Sequence, residues 1–199
     1  MNILLAAAIA YVLGAIPFGY LLVKWTTGGD VRTGGSGNIG ATNVLRTTGR
    51  AAGIATLLLD IGKGYLAVWI AGRLTDHGVP AMCVAALAVM AGHAFPVFLR
   101  FKGGKAVASF VGAFLCLTPL ALLAVLVVFV VVVAWTHYIS MGSVVSATTF
   151  PLAVWLMDKD VVILATAVVA GAFIIYKHSS NIARVHAGNE NRFTFGRKP

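Results

Sequence analysis

Long apolar runs alternate along this chain with short polar segments. The runs lie at about residues 3–23, 52–74, 81–99, 105–117, 119–136, 141–157 and 161–176. Most approach or exceed the ~20 residues that an α-helix needs to cross a hydrocarbon core. Pro17 predicts a kink in the first run. The fourth run, Lys105 to Leu117, rises only ~20 Å as a helix, against a core of ~30 Å. It either crosses or forms a re-entrant hairpin with the start of the fifth run. Thr118-Pro119 is a turn signal that favours two separate spans. The expectation is therefore an all-α integral membrane protein with seven transmembrane helices, or five spans if the fourth run does not cross. Residues 1–199 read as one membrane-embedded domain. Met1-Asn2-Ile3 carries no positive charge, and the run after it is too long for a signal-peptide core, so a retained first helix is expected. No internal repeat is visible, which argues against a repeat-built transporter.

Composition agrees with that pattern. Of 199 residues, 59% are hydrophobic and 11% charged, more apolar surface than a soluble domain of this size can bury. The formal net charge is +9. In a soluble protein that charge would suggest nucleic acid, but no basic face with interleaved aromatics lies outside the apolar runs. The charge instead sorts by loop. With the N-terminus outside, the inner loops hold Lys24, Arg32, Arg46, Arg50, Arg100, Lys102, Lys105, Lys177, Arg184, Arg192, Arg197 and Lys198. The outer loops hold only Arg73 and Lys159, beside Asp76, Asp158 and Asp160. Basic residues concentrate on the cytoplasmic side and meet anionic headgroups there. This predicts an external N-terminus, a cytoplasmic C-terminus, and three polar segments facing the cytoplasm. Cys83 and Cys116 lie within apolar runs and read as small core residues.

The first polar segment runs from Gly34 to Arg46. Its glycines let backbone N–H groups converge on an anion. Ser36, Thr42 and Asn43 add side-chain donors, and the Arg46 guanidinium suits bidentate phosphate contact. Substrate binding is expected through Gly37, Asn38, Thr42, Asn43 and Arg46, against the plainer reading of a solvated flexible loop. The second segment, Gly92 to Ala108, holds Gly103, Gly104 and Lys105 ahead of a small-residue helix, whose N-terminus favours anions. The glycine spacing and the lack of a Lys-Ser/Thr pair exclude a nucleotide P-loop. Lys102 fits a lysine that snorkels, and His93 fits a structural histidine. In the third segment, His178, Asn181 and Arg184 share one face if the last helix continues inward. A histidine there moves protons near neutral pH. Glu190, the chain's single glutamate, reads as a structural partner for Arg184 or Arg192.

Asp60 and Lys63 lie inside the second run at i, i+3, where charges are costly and usually paired. An ion pair joining helices is the bland reading, and a polar wall for a substrate cleft the sharper one. A carrier of phosphate esters or anionic lipids would place polar groups at mid-membrane on several helices. Only Asp60 and Lys63 qualify, so an enzyme is preferred to a carrier or a non-catalytic membrane subunit. No metal-ligand cluster and no nucleophile elbow is present.

Three motifs in order carry a family resemblance: Ser36 to Asn43; Gly92-His93-Ala94-Phe95-Pro96 with Phe101 to Ala108; and His178 to Arg184 with Gly188 to Arg192. The whole chain resembles the bacterial acyl-phosphate:glycerol-3-phosphate acyltransferases known as PlsY, apart from small departures such as Ser109 where threonine is expected. The resemblance implies acyl transfer from acyl phosphate to the 1-hydroxyl of glycerol 3-phosphate, giving lysophosphatidic acid and phosphate. It implies no cofactor and no metal. The partners are those two substrates and membrane lipids, with no nucleic acid and no obligate protein. It places the protein in the bacterial cytoplasmic (inner) membrane, with its active site on the cytoplasmic face. Ser36, Arg46, His178 and Asn181 are implied to serve activity, Gly103, Gly104 and Lys105 to hold glycerol 3-phosphate, and Glu190 to be structural. The base stays open between His178 and a substrate phosphate, with an acylated Ser36 as a third route.

Overall fold

The computed structural model describes residues 3–193; Arg197 and Lys198, counted above among the inner charges, lie outside them. The regular elements described are helical: α1 (Ile3–Ala15), α2 (Phe18–Thr27), α3 (Ala41–Thr48), α4 (Arg50–Leu74), α5 (Val79–Ala94), α6 (Val107–Leu117), α7 (Pro119–Thr136), α8 (Ile139–Met157), α9 (Val161–Lys177) and α10 (Ser179–His186). Short 3-10 turns occupy Val31–Thr33 and Val97–Leu99.

Sequence chemistry sets most boundaries. Pro17 has no N–H to donate and separates α1 from α2. Gly28 adopts a left-handed φ of 71° and caps α2 through its N–H to Lys24. Pro119 occupies the first turn of α7, where its missing N–H costs nothing. Asp160 caps α9 by accepting from the N–H groups of Val162 and Ile163 at 2.8 and 2.9 Å.

Five stretches are long and apolar enough to cross a membrane: Ile3–Thr27, Arg50–Leu74, Val79–Leu99, Pro119–Thr136 and Ile139–Met157. The pair α9 and α10 makes a sixth if counted as one span, although it bends by 54°. The fourth apolar run forms α6, which is apolar but short. A last helix running straight through Arg184 does not occur. His178 ends α9, its N–H bonding Ile174 and Ile175 carbonyls at 3.0 Å, and α10 restarts beyond it.

Two compact units divide the chain, Met1–Leu117 and Thr118–Pro199. In the first, small residues let helices approach closely. Ala6, Ala10 and Gly14 form a buried stripe at i, i+4 on α1. A methyl on Gly14 would strike the Val89 backbone of α5. α4 crosses α6 at Gly64 and Gly112, which face the backbones of Ser109 and Ile61. In the second unit α8 packs against α7 and α9, and Ser146 of α8 donates to the Val125 carbonyl of α7 at 3.0 Å. The exposed apolar residues, such as Leu4, Leu120, Val127 and Val130, are the surface that lipid would cover.

The α4–α6 crossing can be tested. A methyl on Gly112 would stand 2.8 Å from both the Ile61 carbonyl carbon and the Tyr65 nitrogen, whereas one on Gly62 meets nothing within 4 Å. Overpacking of this kind costs ~1–3 kcal/mol. Gly112→Ala is expected to lower the melting temperature in detergent by on the order of 5 °C, and Gly62→Ala to leave it unchanged or slightly raised. Equal effects would show that the crossing is not close-packed.

Candidate functional site

Asn43 organises the first polar segment. It is the third residue of α3 and is buried, at 2% exposure. Its Oδ1 accepts from the Ser36 N–H at 2.8 Å. Its Nδ2 donates to the carbonyls of Asn38, Val31 and Gly34 at 2.8, 3.1 and 3.2 Å. One amide thus closes the loop by holding both of its arms, with Gly35 and Gly37 at positive φ of 57° and 68° between them. Asn38 accepts from the Gly40 N–H at 2.8 Å, which leads the chain into α3. Ser36, Gly37 and Arg46 stay exposed, and Thr42 is half-buried in the first turn of α3. Asp30 opens the turn before the loop. Hydrogen bonds from the Arg32 guanidinium, at 2.6 Å for the shortest, and from the Arg32 N–H lower its carboxyl to about 2.

The second segment is a tight turn after α5. Phe101 N–H bonds the Pro96 carbonyl at 2.9 Å, and Gly104 N–H bonds the His93 carbonyl at 3.0 Å. Positive φ falls on Arg100, Phe101 and Ala106, and on neither Gly103 nor Gly104. Those two glycines serve close approach instead. A Cβ on Gly103 would collide with the His93 carbonyl and the Pro96 ring, and one on Gly104 with the His93 imidazole. Lys105 is half-buried, two residues ahead of the first residue of α6, and Lys102 is exposed.

These two segments share one apolar cluster. Ile39 and Val44 of the first pack with Val31 just before it, with Val23 and with Leu99 of the second, flanked by Tyr20 and Ala52. Asp60 and Lys63 form a buried ion pair at 2.7 Å in α4. Lys63 also donates to the Ile16 carbonyl at 2.9 Å, and His93 Nδ1 lies 3.6 Å from Asp60 Oδ1. All three side chains are at most 5% exposed.

The third segment lies in the second unit. His178 is buried, and its Nδ1 is 2.8 Å from the Ile174 carbonyl. A carbonyl only accepts, so Nδ1 carries the proton there and Nε2 holds the lone pair of the neutral ring. Asn181 donates to Glu190 Oε1 at 2.6 Å, Ser140 donates to the same oxygen at 2.9 Å, and Arg184 Nε donates to Oε2 at 2.8 Å. Burial pushes the Glu190 carboxyl up, but the hydrogen bonds from Asn181, Ser140 and Arg184, with the charge of Arg184, outweigh it and hold the group below its ordinary value. Arg192 instead meets Tyr138, with its Nε 3.5 Å from the hydroxyl. Ser140 and Tyr138 were absent from the residues read off the sequence. The polar Ser-Met-Gly-Ser run that opens α8 was the available signal.

The family model described as glycerol-3-phosphate acyltransferase matches residues 4–188. A glycerol-3-phosphate acyltransferase of Geobacter sulfurreducens is 45% identical over 97% of this chain and 98% of its own. One from Trichlorobacter lovleyi is 49% identical over 92% and 94%. The crystal structure of PlsY (YgiH), an integral membrane glycerol 3-phosphate acyltransferase, in its glycerol 3-phosphate form superposes with a TM-score of 0.92 at 36% identity. It covers 98% of this chain and 96% of that one. Its lysophosphatidic acid form gives 0.89 at 35%, with the same coverage.

Two outcomes are expected. Asn43→Asp sets a carboxylate against three carbonyls and leaves them without a donor, at ~1–3 kcal/mol per unsatisfied group. The loop should open, so that trypsin cuts after Arg32 and Arg46 faster than in the unaltered chain; unchanged cleavage would remove Asn43 as the clamp. For Glu190 the folded pKa is depressed. Its contribution to stability is then present above the ordinary value of 4.5 and lost as pH falls through the lower folded value. Glu190→Gln should therefore lower the melting temperature at neutral pH, and the gap should shrink steadily below pH ~4. A gap independent of pH would contradict the charge-based account.

Proposed function

The chain belongs to the glycerol-3-phosphate acyltransferase family, and from that premise we propose that it moves a fatty acyl group from acyl phosphate to the 1-hydroxyl of glycerol 3-phosphate. The products are lysophosphatidic acid and inorganic phosphate. The observation that carries this reading is the pairing of two basic glycine loops on one apolar cluster. Both substrates bear a phosphate, so the reaction asks for two anion sites. Arg46 supplies a planar fork for one, and Lys105, before α6, a compact charge for the other. Those cations neutralise charge that other enzymes assign to a metal, so the reaction is proposed to run without one and without a cofactor.

In the chemistry, the 1-hydroxyl oxygen attacks the acyl carbonyl carbon. The bond from that carbon to the phosphate oxygen breaks, and phosphate leaves with the electron pair. The hydroxyl proton goes either to His178 Nε2 or to a phosphate oxygen of the substrates. The Nδ1 contact with Ile174 supports the first route, because it leaves Nε2 as the basic atom. Asn181, fixed by Glu190, would orient the acceptor. Because acyl phosphate is an activated anhydride, positioning and charge neutralisation supply the acceleration and no acylated Ser36 is required.

The proposal extends to topology. Seven crossings, with α6 as the short fourth, an external N-terminus and the three motifs at the cytoplasmic face of a bacterial inner membrane, are supported by the loop charges. No protein partner is assigned.

Purified chain in detergent with palmitoyl phosphate and glycerol 3-phosphate should make lysophosphatidic acid, unaffected by EDTA, while palmitoyl-CoA should not replace the donor. Product from the thioester alone would overturn the donor assignment. His178→Gln keeps a hydrogen bond but not the basicity. A fall of ~10²–10⁴ in kcat is expected, together with loss of the acidic limb of the pH profile. Retention of more than about a tenth of kcat from pH 6 to 8 would give the proton to a substrate phosphate instead.

A further inference from the structure

His93 lies at the end of α5 and is buried, at 5% exposure. Its position is best understood from what touches its two ends. The Nδ1 side faces Asp60 Oδ1 at 3.6 Å, and Asp60 is itself locked to Lys63 at 2.7 Å. Lys63 is tied at 2.9 Å to the Ile16 carbonyl, which also accepts the Phe18 N–H at 3.1 Å across the Pro17 break. The opposite corner of the ring, Nε2, abuts Gly104: a Cβ there would collide with Nε2 and stand 2.8 and 3.1 Å from Cδ2 and Cε1. The His93 carbonyl meanwhile holds the Gly104 N–H at 3.0 Å, and would meet a Cβ on Gly103. One residue thus sets the height of both glycines that precede Lys105.

We infer that His93, braced by the Asp60–Lys63 pair, is a positioning residue that seats the Gly103–Gly104–Lys105 turn for the phosphate of glycerol 3-phosphate. The inference rests on the proposed function and assigns the buried ions a task in it. Gly104 is a glycine because the imidazole occupies the space of a side chain. This differs from a glycine kept bare so that a ligand can approach. The brace also explains why a membrane-buried ion pair is worth keeping: replaced by apolar residues, it would hold neither the Ile16 carbonyl nor the ring.

The two explanations of Gly104 separate in a double-mutant cycle. Gly104→Ala alone pushes the turn off the ring, and His93→Ala alone removes its support. Each is expected to raise the KM for glycerol 3-phosphate by about tenfold or more, since small misplacements of a binding group are costly. The kcat and the KM for acyl phosphate should stay within about twofold. In the combined variant the new methyl fills space vacated by the ring, so its KM should lie well below the product of the two single effects. His93→Gln, which keeps a polar group of similar reach beside Asp60, should hold KM within about threefold. Melting temperatures of the same four proteins give a second reading that needs no substrate, and the same sub-additive pattern is expected. Additive KM effects, or a fall in kcat at constant KM, would overturn the inference. So would additive melting temperatures. An unaltered chain that forms no lysophosphatidic acid would refute the proposed function instead, while the melting cycle would still report on the contact.

Discussion

A helix interrupted inside a bilayer exposes carbonyl groups that no water can reach, and each must find a donor within the protein. This chain interrupts its helices where it carries polar chemistry, and backbone N–H groups and buried polar side chains together supply the repairs. At the Pro17 break the Ile16 carbonyl takes both the Phe18 N–H and the Lys63 ammonium. That cation then requires Asp60, and Asp60 faces His93. At the end of α5 the carbonyls of His93 and Pro96 take the N–H groups of Gly104 and Phe101. At the end of α9 the Ile174 carbonyl faces both the backbone N–H and the ring Nδ1 of His178. A residue placed by such a repair is held rigidly, which is what a site for a small anion needs.

The same economy shapes the loops. Asn43 uses a single amide to bind one N–H and three carbonyls across the first polar segment. Glu190 gathers Ser140, Asn181 and Arg184 onto one carboxylate in the second unit. In both, the hydrogen bonds fix loops that lack the regular backbone ladder, while Ser36 and Arg46 stay exposed. Beneath the first unit's loops, the cluster of Val31, Ile39, Val44 and Leu99 supplies the apolar anchor.

Much of this was legible in the residues. Apolar runs located α1, α4, α5, α7, α8 and α9 to within a few residues, because spanning length is a strong constraint. Pro17, Pro119 and the polar glycine segments marked true breaks. The helix α3 was not legible, since Ala-Thr-Asn-Val-Leu-Arg-Thr-Thr carries too little apolar periodicity to separate it from a loop. Nor was the bend at His178, where neither glycine nor proline marks it. Asn43 was expected among the substrate-binding residues; its buried amide is instead engaged by the loop's own backbone, a pairing that residue type alone does not reveal. Ser140 and Glu190 lie 50 residues apart, beyond the reach of local pattern. The contact of Gly104 with the His93 ring was likewise out of reach of local pattern, because it is a long-range feature of packing.

On the proposed function, these braced loops form an anion site before any donor arrives. Equilibrium binding of labelled glycerol 3-phosphate to the purified chain, with no acyl phosphate present, tests it most directly. Saturable binding that inorganic phosphate displaces and glycerol does not is expected, because the proposed recognition is of the phosphate. Displacement by glycerol but not by phosphate, or no binding until the donor is added, would contradict it.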